Sequence, residues 1–80
     1  MFEALENKMY NPDIAIMIKI EQMGLFRRRL EKSAAEIGLL FKEHNVFGFI
    51  DDMYEFLHIQ GALATFDDIY SYLEKEGFKP

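Results

Sequence analysis

The sequence predicts an all-α protein, a compact bundle of about four helices joined by short loops. Three observations carry that expectation. Apolar residues recur at helical spacing in several separate stretches. Helix-opening signals stand before these stretches, at Asn11-Pro12-Asp13, Ser33-Ala34-Ala35-Glu36 and Thr65-Phe66-Asp67-Asp68. Helix-closing residues follow them, at His44-Asn45, Gly61 and Gly77.

Residues 1–10 have weak periodicity and read as an N-terminal arm or a short helix. A single helical domain over residues 11–80 follows. Asn11 is a good N-cap, Pro12 fits the first helical position, and Asp13 suits the positive end of the dipole. Ile14, Ile16, Ile18 and Ile20 alternate as in a strand, but Ala15 and Met17 between them are also apolar. No turn signal follows to define a hairpin, and Glu21-Gln22-Met23 favours helix. The first helix is therefore expected to reach about Leu30, with Gly24 either carried through it or bending it. Such a helix is apolar nearly all round, so it belongs at the centre of the bundle or in an interface.

Ser33 and Glu36 match a capping box, and Ile37, Leu40 and Phe41 form the stripe of the second helix. Asn45 tolerates the left-handed turn that would stop it, with Val46 and Phe47 plugging the joint. The third helix carries Ile50, Met53, Tyr54 and Leu57, with Asp51 and Asp52 in its first turn. Gly61 closes it. Thr65 is read as the cap of the fourth helix, Asp67 and Asp68 as its first turn, and Ile69, Tyr72 and Leu73 as its stripe. Gly77 closes that helix, and Phe78 folds back onto its last turn.

Eighty residues make one small domain. Half of them are hydrophobic and 15% are aromatic, which is too apolar for intrinsic disorder at a net charge of −5. There is no cysteine, hence no disulfide framework, thiolate metal site or cysteine nucleophile. No run approaches a membrane span, and Met1-Phe2-Glu3-Ala4-Leu5-Glu6 lacks the basic start of a signal peptide. A cytoplasmic protein is expected. Charge is uneven: −2 over residues 1–18, +3 over 19–32 and −6 over 33–80. The acidic second half disfavours broad contact with phosphates.

The second half carries a more specific pattern. Ile20-Glu21, Phe41, Val46, Ile50, Tyr54, Leu57-His58, Gln60-Gly61, Asp68-Ile69 and Tyr72 occur in this order. In these residues, over roughly Asp13 to Glu76, the chain resembles a family of short bacterial proteins known only as a domain of unknown function, number thirty-seven ninety-one. The family usually has a threonine between the His and the Gln, where this chain has Ile59. The region from Gly24 to Glu31 is also longer than is usual there. The resemblance implies a small helical protein without known catalysis. It also implies genes in small operons and mobile elements, sometimes beside ADP-ribosyltransferase-like genes, and hence an antitoxin-like or regulatory role.

Each candidate site has a plainer structural role beside it. His58, near a helix end, reads as an acid–base or partner-contact group, or as a cap bonded to the Gly61–Thr65 loop, Asp67 or Asp68; the cap is favoured. With Gln60, Asp67, Asp68 and Tyr72 it forms the candidate polar site. Glu55 and His58 have the spacing of a di-iron motif, but Phe41 stands where a second copy before His44 needs an acid. No metal and no cofactor is expected. Asp51, Asp52 and Glu55 read as a solvated acidic face rather than a catalytic pair. Arg27, Arg28, Arg29 and Lys32 form the candidate basic contact patch, although three consecutive arginines spread around a helix. Phe26, Phe47, Phe49 or Phe56 are candidates for an exposed patch that binds a partner.

The leading expectation is a non-enzymatic protein that works through protein–protein contact, as a homodimer or in a small bacterial complex. The second is the antitoxin-like partner. The third is a helix-turn-helix DNA binder using the second and third helices with His44 to Gly48 as the link, disfavoured by the acids of the third helix. Neither nucleic acid nor membrane is expected as a partner.

Overall fold

The computed structural model describes residues 10–79. The expectation for residues 1–9 lies outside them. Among the described residues five α-helices make a compact bundle: α1 (Pro12–Leu30), α2 (Ala34–Glu43), α3 (Val46–Asp52), α4 (Tyr54–Gln60) and α5 (Ala62–Lys75). No strand occurs among the described residues.

Helix α1 is the axis of the fold and packs against each of the other four. Asn11 caps it as expected, its side-chain oxygen accepting the backbone N–H groups of Asp13 and Ile14. Gly24 is carried through the helix. Closure comes from Glu31 in the left-handed region (φ 54°), with the Lys32 N–H donating to the Arg27 carbonyl. Ala15, Ile18, Gln22 and Phe26 form its buried stripe, at the spacing that puts them on one face. Phe26 is fully buried, so it is a core residue and not part of an exposed patch. Its ring packs on Phe41 at 5.2 Å, Phe66 at 4.4 Å and Tyr70 at 6.4 Å.

Helix α2 opens on the expected capping box: the Glu36 N–H donates to Ser33 Oγ, and the Ser33 N–H to Glu36 Oε1. These bonds hold the Glu36 carboxyl below its ordinary range, the Ser33 backbone bond acting first. Ile37 and Phe41 are its buried positions. Asn45 then turns the chain in the left-handed conformation, φ 51°.

The expected third helix is two helices, which raises the number from about four to five. Val46 and Phe47 begin α3 rather than plugging a joint, because Val46 is fully buried and the helix starts as soon as Asn45 has turned. Asp51 and Asp52 therefore fall at the carbonyl end of α3, not in its first turn. The macrodipole disfavours acids there. Lys19 Nζ, at 2.9 Å from Asp51 Oδ1, and the Tyr10 hydroxyl, donating to Asp51 at 2.9 Å, offset one of the two charges. The chain breaks at Met53 (φ −99°, ψ 10°), in the sparsely allowed bridge region, and resumes as α4. Tyr54 and Leu57 continue the buried stripe. Only His44 and Asn45 separate α2 from α3, so the five-residue helix-turn-helix link does not form.

The last helix begins at Ala62, three residues before the expected cap at Thr65. Gly61 (φ 83°, ψ 166°) reverses the chain in one residue, in a region open essentially to glycine alone. No loop is then needed, and the helix formers Ala62-Leu63-Ala64 start α5 at once. Thr65 is buried in the first turn, its hydroxyl donating back to the Gly61 carbonyl at 2.9 Å. Asp67 and Asp68 move accordingly into the second turn. Phe66, Ile69 and Leu73 face the core. The close is a Schellman motif: the Phe78 N–H reaches the Leu73 carbonyl, the Gly77 N–H that of Glu74, and Gly77 has φ 96°.

Candidate functional site

Most of the candidate polar residues are spent on holding helices together. Tyr72 projects from the last turn of α5, and its hydroxyl donates to the His44 carbonyl at 2.6 Å. Its ring stacks on Phe49 with centroids 4.4 Å apart. One side chain thus ties α5 to the α2–α3 joint and to α3. Burial, then the nearby negative charges of Glu76 and Asp52, raises the phenol above its ordinary pKa. Gln60, at the end of α4, donates from Nε2 to Asp68 at 2.7 Å and reaches Thr65 Oγ1 at 3.4 Å. That bond braces the sharp corner at Gly61 from outside. Asp67 stands exposed.

His58 bonds neither to the Gly61–Thr65 corner nor to Asp67 or Asp68. Its Nδ1–H donates to the Tyr54 carbonyl at 2.8 Å, one turn back on its own helix. The imidazole lies parallel to the Tyr54 ring, centroids 4.7 Å apart. The bond is local, from the ring back to the first residue of its own helix. Beside Tyr72 and Asp68 an open groove of about 270 Å³ runs between α3 and α5, lined also by Phe49, Met53, Ser71 and Lys75. It holds no nucleophile–base pair.

The basic residues do not share one surface. Arg27, Arg28 and Arg29 occupy the last turn of α1, where the dipole favours cations. Arg29 turns back over the Phe66 ring, 5.2 Å from its centroid. Lys32 lines a separate groove with Glu36, Glu43 and Phe78. Among the described residues no three His, Cys, Asp or Glu side chains gather as metal ligands would. No described helix is long and apolar enough to cross a membrane.

The uncovered feature is apolar. On α1, Ile16, Met17 and Ile20 are 52–66% exposed, on the side of the helix opposite its buried stripe. Met17 and Ile20, with Ile14, Ile18 and Glu21, line a shallow groove of about 360 Å³. Phe56, Ile59 and Leu63 are exposed at the α4–α5 corner, Ile59 by 75%. Phe47 and Phe49 are half-buried, so of the four candidate phenylalanines Phe56 is the exposed one. Leu63 falls where the sequence predicts a loop, and Ile59 lies off the helical stripe of Ile50, Met53, Tyr54 and Leu57. Gln22 was also missed. It is fully buried, and its Nε2–H donates to the Ala62 carbonyl at 3.0 Å, while Oε1 has no partner among the described residues. Its place between Ile18 and Phe26 on one helical stripe was the available signal.

A family model described as a protein of unknown function (DUF3791) matches residues 19–76. No curated protein and no solved structure matches the chain. The matched span runs from the second turn of α1 to the end of α5 and contains the bonds of Tyr72, Gln60, His58 and Gln22.

Proposed function

The chain belongs to this DUF3791 family, the match covering well over half of it, and from that premise we propose that it works without catalysis, as a protein-contact module of the bacterial cytoplasm. The observation that carries the reading is the outward face of α1. Three large aliphatic side chains stand in water on the face opposite the buried stripe of the helix at the centre of the bundle. Isolated exposed apolar residues are ordinary, but a contiguous patch of this kind marks an interface. The polar residues of the family pattern support the same reading, since Tyr72, Gln60 and His58 make internal bonds rather than a reactive centre.

The experiment pairs light scattering with a tagged pull-down from native lysate. Both are run on the wild type and on a variant carrying Ile16→Glu and Ile20→Glu. The wild type is expected in a stoichiometric protein assembly, with itself or with another protein. The variant is expected to be monomeric and unaccompanied, with its helical circular dichroism retained. A wild type that is monomeric and elutes alone would end the proposal.

A further inference from the structure

We infer that the outward face of α1 pairs with the same face of a second copy of this chain, antiparallel, with Ile20 on the two-fold axis. This rests on the contact reading above and names the partner. Seven residues of α1 lie within roughly 60° of the direction of Ile20 at 3.6 residues per turn: Asp13, Ile16, Met17, Ile20, Met23, Gly24 and Arg27. The buried stripe of Ala15, Ile18, Gln22 and Phe26 points the other way.

The composition of this face is complementary to itself about Ile20. A two-fold axis there sets residues equally distant from position 20 against each other. Asp13 then meets Arg27 of the other copy at both ends of the pair, one heptad from the centre on either side. Neither makes an ion pair with another described residue. Ile16 meets Gly24, so a branched side chain sits over a position that has none. Met17 comes over Met23, which is itself half-buried against this chain's own core. A parallel pair would instead set Asp13 on Asp13 and Arg27 on Arg27, like charge on like.

Gly24 carries the argument further. Glycine inside a helix costs about 1 kcal/mol relative to alanine. Within the chain nothing requires it: an added Cβ would meet Arg28 Nη1 at 3.6 Å, an ordinary contact. A second helix laid on this face can come to the short end of the usual axis separation of about 8–10 Å where no Cβ stands in its way.

Two sets of variants test the register on the whole chain. The chain has no cysteine, so a single introduced one reports only its own contact. Under mild oxidation, Ile20→Cys is expected to form a disulfide dimer, because the two-fold axis brings position 20 against itself. Asp13→Cys alone is expected to stay uncrosslinked. Separately, Asp13→Arg is expected to weaken self-association about tenfold at low salt, and the double variant Asp13→Arg with Arg27→Asp to restore it. All positions are on the exposed side of α1, and circular dichroism checks that each variant folds. No crosslink at position 20, a crosslink at Asp13→Cys, or failure of the double variant to restore association overturns the inference. A monomeric wild type that still retains a different protein through Ile20 overturns it too, while leaving the contact module standing. A wild type that is monomeric and unaccompanied removes both.

Discussion

Replacing Gln22 with methionine is expected to stabilise the fold by about 1 kcal/mol, although it deletes a buried hydrogen bond. The Gln22 side chain is fully buried between α1 and the α4–α5 corner. Its Nε2–H donates to the Ala62 carbonyl at 3.0 Å, and its Oε1 has no partner among the described residues. Losing the first bond costs about 1 kcal/mol net. The Ala62 carbonyl lies in the first turn of α5 and keeps its place in the helix ladder. Removing the orphan acceptor recovers about 1–3 kcal/mol. Methionine matches glutamine in length and bends into irregular space, so it opens no cavity. The balance favours the variant, and for a domain of this size it corresponds to a Tm higher by about 4–8 °C. Gln22→Ala removes the same polar atoms but leaves a void, and should lose about 2–3 kcal/mol. The assay is urea unfolding followed by circular dichroism at one fixed protein concentration, which holds self-association constant. If Gln22→Met were destabilised by more than about 1 kcal/mol, the reasoning would be refuted, since Oε1 would then be satisfied in the folded protein.

Tyr72→Phe keeps the ring on Phe49 but removes the bond to His44, and should cost about 1 kcal/mol in the same assay. Because the folded protein raises the Tyr72 pKa, this contribution is full below about pH 10 and fades as pH rises through the folded value; the phenylalanine variant should lose less stability over that alkaline window. Ser33→Ala breaks the capping box and should cost about 1 kcal/mol at neutral pH. The lowered Glu36 carboxyl contributes stability above about pH 4.3 that disappears as pH falls through its folded value; because the residue-33 N–H that chiefly lowers it survives in the alanine variant, the urea midpoints of both proteins should fall in acid largely in parallel. Glu31→Gly relieves a side chain held in the left-handed region and should gain up to about 1 kcal/mol in thermal unfolding.

The polar residues that the sequence offered as a site were legible as residues but not as roles. Tyr72 stands on the apolar stripe of α5, and no local pattern shows that its hydroxyl reaches a carbonyl 28 residues earlier in the chain. The acceptor of His58 is one turn back on its own helix, nearer than the sequence candidates, the local side-chain-to-backbone bond that a residue at i makes to i−4. Gln60 and Asp68 were named together, and their bond follows from the corner at Gly61, which brings the two helices into reach. The exposed face of α1 was anticipated in kind, since a helix apolar on every side cannot bury all of itself against four short neighbours.

By itself the sequence determined the helical class, the Asn11 cap, the Ser33–Glu36 capping box, the left-handed turn at Asn45 and the close at Gly77. These are short-range events, each set by side chains within one turn of the backbone groups they satisfy. The tertiary structure decided the break at Met53, the start of α5 at Ala62, the burial of Phe26 and Gln22, and which side of α1 faces water. The burial of Val46 moved the start of α3 and so placed Asp51 and Asp52 at its carbonyl end. Gly61, in a conformation other residues avoid, turns the chain without the loop expected before Thr65. For Phe26 and Gln22 it is contacts with residues distant in the chain that set burial, on the far rings of Phe41 and Phe66 and on the Ala62 carbonyl.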